Sequence, residues 1–219
     1  MSYTPTSETV SARRISWRTT RLTRSMANAM GALGAGWFAW SGFRYYEVTH
    51  SLIGAVFLVE QIWVVLAYLV RRPAQRLSTR RGDWLLAFAG TFGGVLFRPL
   101  GSHPQWGVVA GTLLQALGLA LCVTSFATLG RSFGFAAADR GLRVAGPYAV
   151  VRHPLYASYL LLQLGYVVQS VSWRNVAVMI FVSGSNLGRA LAEERLLLGN
   201  ASYDAYRRRV RWRLVPGLW

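Results

Sequence analysis

The chain has 219 residues, of which 53% are hydrophobic and 15% charged, and its mean hydropathy is positive at +0.30. A water-soluble domain of this size needs more surface charge, and here the apolar residues come in long uncharged runs, which excludes an ordinary soluble globule and points to a membrane protein. The formal net charge of +16 comes from arginine alone, with no lysine; interleaved with apolar spans, these arginines suit anionic lipid headgroups and argue against nucleic acid.

Residues 1–25 are polar and then arginine-rich ("SARRISWRTTRLTRS"). The apolar run that follows lacks a small-residue cleavage site, so a retained first span is expected rather than a signal peptide. Six candidate spans follow: 26–43, 48–70 (interrupted by Glu60 and Gln61), 84–97, 105–129, 155–171 and 175–187. The third is short for a crossing and could tilt, extend into Arg98-Pro99 or re-enter. The last two form a tight hairpin turned at "SWRN", each a little shorter than the roughly 20 residues of a perpendicular helix. Cys122 stands alone in an apolar run, where packing is its expected role. His50 and His103 fall in short outer loops and receive no role. The expected fold is an all-α, polytopic membrane bundle of about six segments, with 1–25 an arginine-rich segment, 26–130 the N-terminal spans, and 131–219 a loop, helical hairpin and tail.

Arginine placement tests this topology. With both termini on one side, twenty-one of the 24 arginines fall on that side and only Arg44, Arg98 and Arg174 fall opposite. The positive-inside rule then puts both termini and the large loop in the cytoplasm. An arginine-only basic set is also what a GC-rich genome produces, which makes a bacterial inner membrane the expected location.

Three polar stretches gather on the cytoplasmic side: "GPYAVVRHPLY", "NLGRALAEERLL" and "YDAYRRRVRWRLVPGLW". Gly146-Pro147 marks a turn. His153 precedes a proline and is biased to extended geometry, while Pro154 suits the first turn of a helix. Arg152 and His153 therefore sit at a helix N-terminus, which also favours an anion. Tyr156, Tyr159 and Gln163 share one polar-tipped face, and Asn186, Arg189 or Ala190, Glu193 and Leu197 share another, with Glu194 adjacent. Each residue also has a bland reading: Arg152 as a headgroup anchor, His153 as a cap, the two glutamates as solvated partners of nearby arginines, and Tyr203, Tyr206 and Trp212 as an interfacial aromatic belt. Glu60 could pair with a polar neighbour such as Gln115. The sequence has no GxGxxG after a strand, no Walker loop, no CxxC and no HExxH, so a nucleotide-type cofactor would be held by helices and loops.

In that order, "GPYAVVRHPLY", "EERLL" and "YDAYRRRVRWRLVPGLW" resemble the isoprenylcysteine carboxyl methyltransferase family, over about residue 129 to the C-terminus. The family shares its core with phospholipid methyltransferases and, more distantly, with membrane sterol reductases. "LLLGNASYDAY" departs from it in having Gly199-Asn200 where an aromatic-glycine pair is usual. The resemblance implies an integral membrane enzyme that uses S-adenosylmethionine to methylate a lipophilic or prenylated acceptor, with a cytosolic cofactor pocket built by the C-terminal core, and with no metal. It implies Arg152 and Glu194 as catalytic residues, and Gly146, Tyr148, His153, Tyr156, Glu193, Glu194, Tyr203, Tyr206 and Pro216 around the cofactor, without saying which glutamate contacts it. A carboxylate acceptor is already ionised near neutral pH, so catalysis would be positioning, with the Arg152 fork matching two oxygens. The alternatives are a phospholipid-amine or thiol methyltransferase of the same fold, an NADPH-dependent membrane reductase, and a non-enzymatic scaffold or transporter. The last is disfavoured because mid-span polar residues are few.

Overall fold

The computed structural model describes residues 21–49, 58–59, 62, 65–66, 76–98, 104–132, 138–139 and 142–219. The first predicted span is contained in α1, Arg21–Thr49. Most of the second, with Glu60 and Gln61, lies outside the described residues, as do His50 and His103.

The short third segment is helix α2, Arg81–Phe92, continued by a tighter 3-10 turn over Gly93–Leu96. Asp83 in its first turn complements the helix dipole, and Phe97 leaves the turn in extended geometry. At about 1.5 Å per α residue and about 2 Å per 3-10 residue, the segment rises about 26 Å, just under a hydrocarbon core of about 30 Å.

Helix α3, Gln105–Leu129, coincides with the fourth predicted span, and among the described residues it is the one helix long and apolar enough to cross a membrane. Helix α4 runs Pro154–Gln169 and α5 runs Trp173–Leu197, ten residues beyond the predicted end at 187, so that both glutamates are helical. A short helix α6, Ala201–Arg209, is capped by the Asn200 side chain accepting from the Ser202 amide. A two-residue antiparallel pairing joins β1 (Arg76–Leu77) to β2 (Ala138–Asp139), with Leu77 opposite Ala138.

Small residues set the helix packing. On α3, a Cβ at Gly111 would lie 2.4 Å from the Gly165 carbonyl oxygen of α4, and one at Gly107 would lie 2.6 Å from that of Val168. The two backbones therefore touch, as small residues at a four-residue spacing permit. Gly90 of α2 and Gly93 of the 3-10 turn instead make room for side chains of α5, those of Asn186 and Val182. Cys122 is buried with Ala35 and Phe126, joined by Leu155 and Tyr159. The outward faces carry large exposed apolar residues, among them Leu33, Leu113, Leu117 and Ile180, as expected where lipid rather than water is the solvent.

One end of this bundle is locked by Asn175. Its side-chain amide donates to the carbonyls of Arg98 (2.8 Å) and Ser170 (2.9 Å), and Arg174 donates to the Leu96 carbonyl at the same end. Since α4 and α5 run antiparallel, the start of α4 and the end of α5 meet at the other end.

Candidate active site

Gly146 turns the chain with φ +55°, and a Cβ there would lie 2.8 Å from Thr128 Oγ1 at the end of α3. The 3-10 turn Gly146–Ala149 that follows buries Tyr148, and the chain then enters α4 at Pro154 with His153 as N-cap. The tail runs alongside: the Arg152 amide donates to the Trp212 carbonyl at 2.9 Å and the His153 amide to that of Arg213 at 2.8 Å. The Tyr206 hydroxyl donates to the Tyr148 carbonyl at 2.7 Å, fastening α6 to the same turn.

Glu194 lies at the centre and is 5% exposed. Its Oε1 has Arg152 Nε at 2.9 Å and His153 Nε2 at 3.2 Å, and its Oε2 accepts from Arg213 Nε at 3.1 Å. Burial opposes its charge, but the hydrogen bond and charge of His153, then Arg152 and Arg213, prevail and lower its pKa to about 2. Glu194 is therefore a carboxylate throughout the physiological range. The Tyr203 hydroxyl is buried beside it, and burial together with this carboxylate raises the Tyr203 pKa; burial likewise pushes Tyr206 up to about 12, so both stay protonated.

Glu193 sits differently. Its Oε1 accepts from the Tyr156 hydroxyl at 2.5 Å, its Oε2 is 4.0 Å from His153 Nδ1, and its side chain keeps 28% of its exposure. The Arg189 guanidinium lies over the Tyr156 ring, 5.3 Å from its centroid, and donates to Asn186 Oδ1 and Thr91 Oγ1, both at 3.3 Å. Arg152 is 7% exposed, and its Nε–H, although close to Glu194, is not aimed at any acceptor among the described residues. A buried guanidinium with an unused donor next to a partly open carboxylate can receive a polar ligand that carries both an anionic and a cationic or hydroxyl group.

The structure thus brings together Tyr148, Arg152, His153, Tyr156, Glu193, Glu194, Tyr203 and Tyr206. Gly146 is exposed and shapes the turn. Pro216 is also exposed and occupies a tight turn in which the Leu218 amide donates to the Val215 carbonyl and Gly217 has φ +81°. The buried positions of Tyr203 and Tyr206 set aside the aromatic-belt reading for them. Of the predicted tyrosine face on α4, Tyr156 points to Glu193 and Gln163 accepts from Ser183, whereas Tyr159 joins the Ala35–Cys122–Phe126 cluster. Two further arginines, Arg213 and Arg189, join the site without being among the residues expected there from the sequence. Arg213 is one of five arginines in the tail and nothing local distinguishes it, whereas Arg189, four residues before Glu193, stands out by helical spacing.

Residues 106–200 match the family model of phospholipid methyltransferases, the family that includes the isoprenylcysteine carboxyl methyltransferases. The match begins at the second residue of α3 and ends at the cap of α6, so the stretch that is similar to this membrane-associated methyltransferase family spans the turn, the hairpin and both glutamates. No curated protein matches the sequence.

Proposed function

We propose that the protein is an integral membrane methyltransferase that takes its methyl group from S-adenosylmethionine and delivers it to a lipophilic acceptor, by carboxyl O-methylation of an isoprenylcysteine-like or other prenyl or lipid acid. The observation that supports this reading best is the convergence of three distant stretches on Glu194 at one end of an apolar bundle, with Glu193 left partly open beside it. A polar cofactor from water and a lipid acceptor can meet at such an end. From the arginine asymmetry we place that end, and both termini, on the cytoplasmic side of a bundle of about six spans.

The residues fit this cofactor. S-adenosylmethionine, when bound, supplies an electrophilic methyl group on a sulfonium centre. Glu193 has a carboxylate oxygen available for an ammonium or for ribose hydroxyls, and it is the member of the acidic pair that we assign to cofactor contact. Glu194 is engaged by Arg152, His153 and Arg213, and we assign it to holding the turn, α5 and the tail in register. We assign the Arg152 guanidinium to the acceptor carboxylate, whose two oxygens its planar fork suits. A carboxylate acceptor needs no proton removed, so orientation of the attacking oxygen is the main task. Because Arg152 also lies against Glu194, Arg152→Lys is expected to raise acceptor KM and to weaken cofactor binding as well.

The family match favours a second acceptor, the amine headgroup of a phospholipid. The Glu193 carboxylate would receive such a cation.

The deciding experiment is calorimetric binding of S-adenosylhomocysteine to the detergent-purified protein, with NADPH in parallel. Binding of S-adenosylhomocysteine alone is expected, and labelled methyl donor then separates prenyl-cysteine, phospholipid and thiol acceptors. Binding of NADPH alone would move the protein to the reductases, and silence from both in a folded sample would overturn the enzymatic reading.

A further inference from the structure

We infer that the outward face of α6, continued by Arg211, is a docking surface for an anionic lipid leaflet, and that docking holds the tail closed on the Glu194 cluster. Helix α6 has two chemically distinct faces. Tyr203 and Tyr206, with Val210 just beyond, are buried and packed against Leu197. Arg207, Arg208, Arg209 and Arg211 are exposed, and Asp204 is the helix's one acid. Among the described residues none of these four arginines forms an ion pair. Four unpaired guanidinium groups within five positions complement a negatively charged surface, and the exposed Trp212, directly after them, and Leu218, near the end of the tail, supply apolar anchors for the headgroup region. A topological signal alone would need no such sidedness.

The surface is coupled to the site by the chain itself. Immediately after Arg211, the carbonyls of Trp212 and Arg213 accept from the amides of Arg152 and His153, and the Arg213 side chain donates to Glu194. The Arg213 guanidinium also stacks on Trp219, 4.7 Å from the ring centroid, and the Trp219 carbonyl accepts from the Arg213 amide at 2.8 Å, so the tail is folded back on Arg213. Headgroups that hold α6 against the membrane therefore also restrain the groups that hold Glu194. The docking surface stands independently of the proposed function; its effect on cofactor binding rests on that reading.

The test reconstitutes the full chain in nanodiscs of phosphatidylcholine alone or with about a third phosphatidylglycerol, and reads amide hydrogen exchange over 201–219 and at Arg152 and His153. Exchange is expected to slow in the anionic bilayer, and S-adenosylhomocysteine to bind about fivefold tighter there. The variant R207Q/R208Q/R209Q/R211Q should lose both responses while keeping wild-type behaviour in the neutral bilayer. If that variant fails to insert, a salt titration of the wild type takes its place, since molar salt should erase the difference between bilayers. Equal exchange in the two bilayers, a response retained by the variant or at high salt, or the same slowing produced by soluble glycerol phosphate would overturn the proposal. Slowed exchange with no S-adenosylhomocysteine binding in either bilayer would leave the docking surface standing and remove the function reading.

Discussion

Arg213 and Glu194, nineteen residues apart, are joined side chain to side chain at 3.1 Å, while the Arg213 carbonyl receives the His153 amide at 2.8 Å. One tail residue thus fixes both the acid at the end of α5 and the histidine at the start of α4. Arg213→Gln removes the charge but leaves the backbone contact. Because the Arg213 side chain is 29% exposed, water can replace part of the loss, and we expect a moderate effect, about tenfold weaker S-adenosylhomocysteine binding. Arg213→Lys should recover part of it. Calorimetry on both variants checks this, and wild-type affinity in Arg213→Gln would remove the tail from the site.

The depressed pKa of Glu194 predicts an acid limb of stability. A carboxyl at about 2 in the folded protein and near its ordinary 4.5 in the unfolded one contributes stability that is fully present above pH about 4.5 and is lost as pH falls through 2. At neutral pH the contribution is on the order of 3 kcal/mol. Melting in detergent should therefore lose little to Glu194 between pH 7 and 5, and much between 4.5 and 2. Glu194→Gln should lower Tm at pH 7 and flatten the acid limb; an unchanged limb in the variant would mean that other carboxylates set it.

The helices over 26–43, 84–97, 105–129 and 155–171 and the polar stretches were legible because both rest on local signals: long uncharged runs, a proline after His153, an acidic pair on an apolar helix. The end of α5 was not. The sequence "GRALAEERLL" carries too much charge to read as a span, yet Asn186, Arg189 and Glu194 are buried by partners on α2, α4 and the tail, which no local pattern contains. The same limit hid Arg213. Gly107-xxx-Gly111 was a visible local pattern, but what it signifies depends on the partner helix, and only the contact with Gly165 and Val168 of α4 gives it a role.

That contact is directly testable. At Gly111 even one methyl group would meet the Gly165 carbonyl oxygen and the Gln169 side chain, so α3 and α4 must separate. Gly111→Ala should cost about 1–3 kcal/mol, as overpacking does. On α1, by contrast, a Cβ at Gly36 would have nothing among the described residues within 4 Å, and Gly36→Ala should be neutral or stabilising by up to about 1 kcal/mol through helix propensity. Thermal melts of the pair read the difference, and equal Tm values would show that α3 and α4 are not in backbone contact.

The residue after Glu194 supplies the last prediction. Arg195 donates to Asp83 at 2.8 Å, and Asp83 also accepts from the Ser78 hydroxyl, which ties the start of α2 to the end of α5. The two partners are unequal: the Asp83 side chain is 8% exposed and that of Arg195 is 47%. Removing Arg195 leaves a buried carboxylate with Ser78 as its one remaining side-chain partner among the described residues, whereas removing Asp83 leaves a cation that water can reach. Arg195→Gln should therefore destabilise more than Asp83→Asn, by about 1–3 kcal/mol against under about 1 kcal/mol. The double variant should resemble Asp83→Asn, because the stranded carboxylate is then gone. Melting curves of the three variants decide this, and the reverse order would show that the pair acts by placing Arg195 rather than by satisfying Asp83.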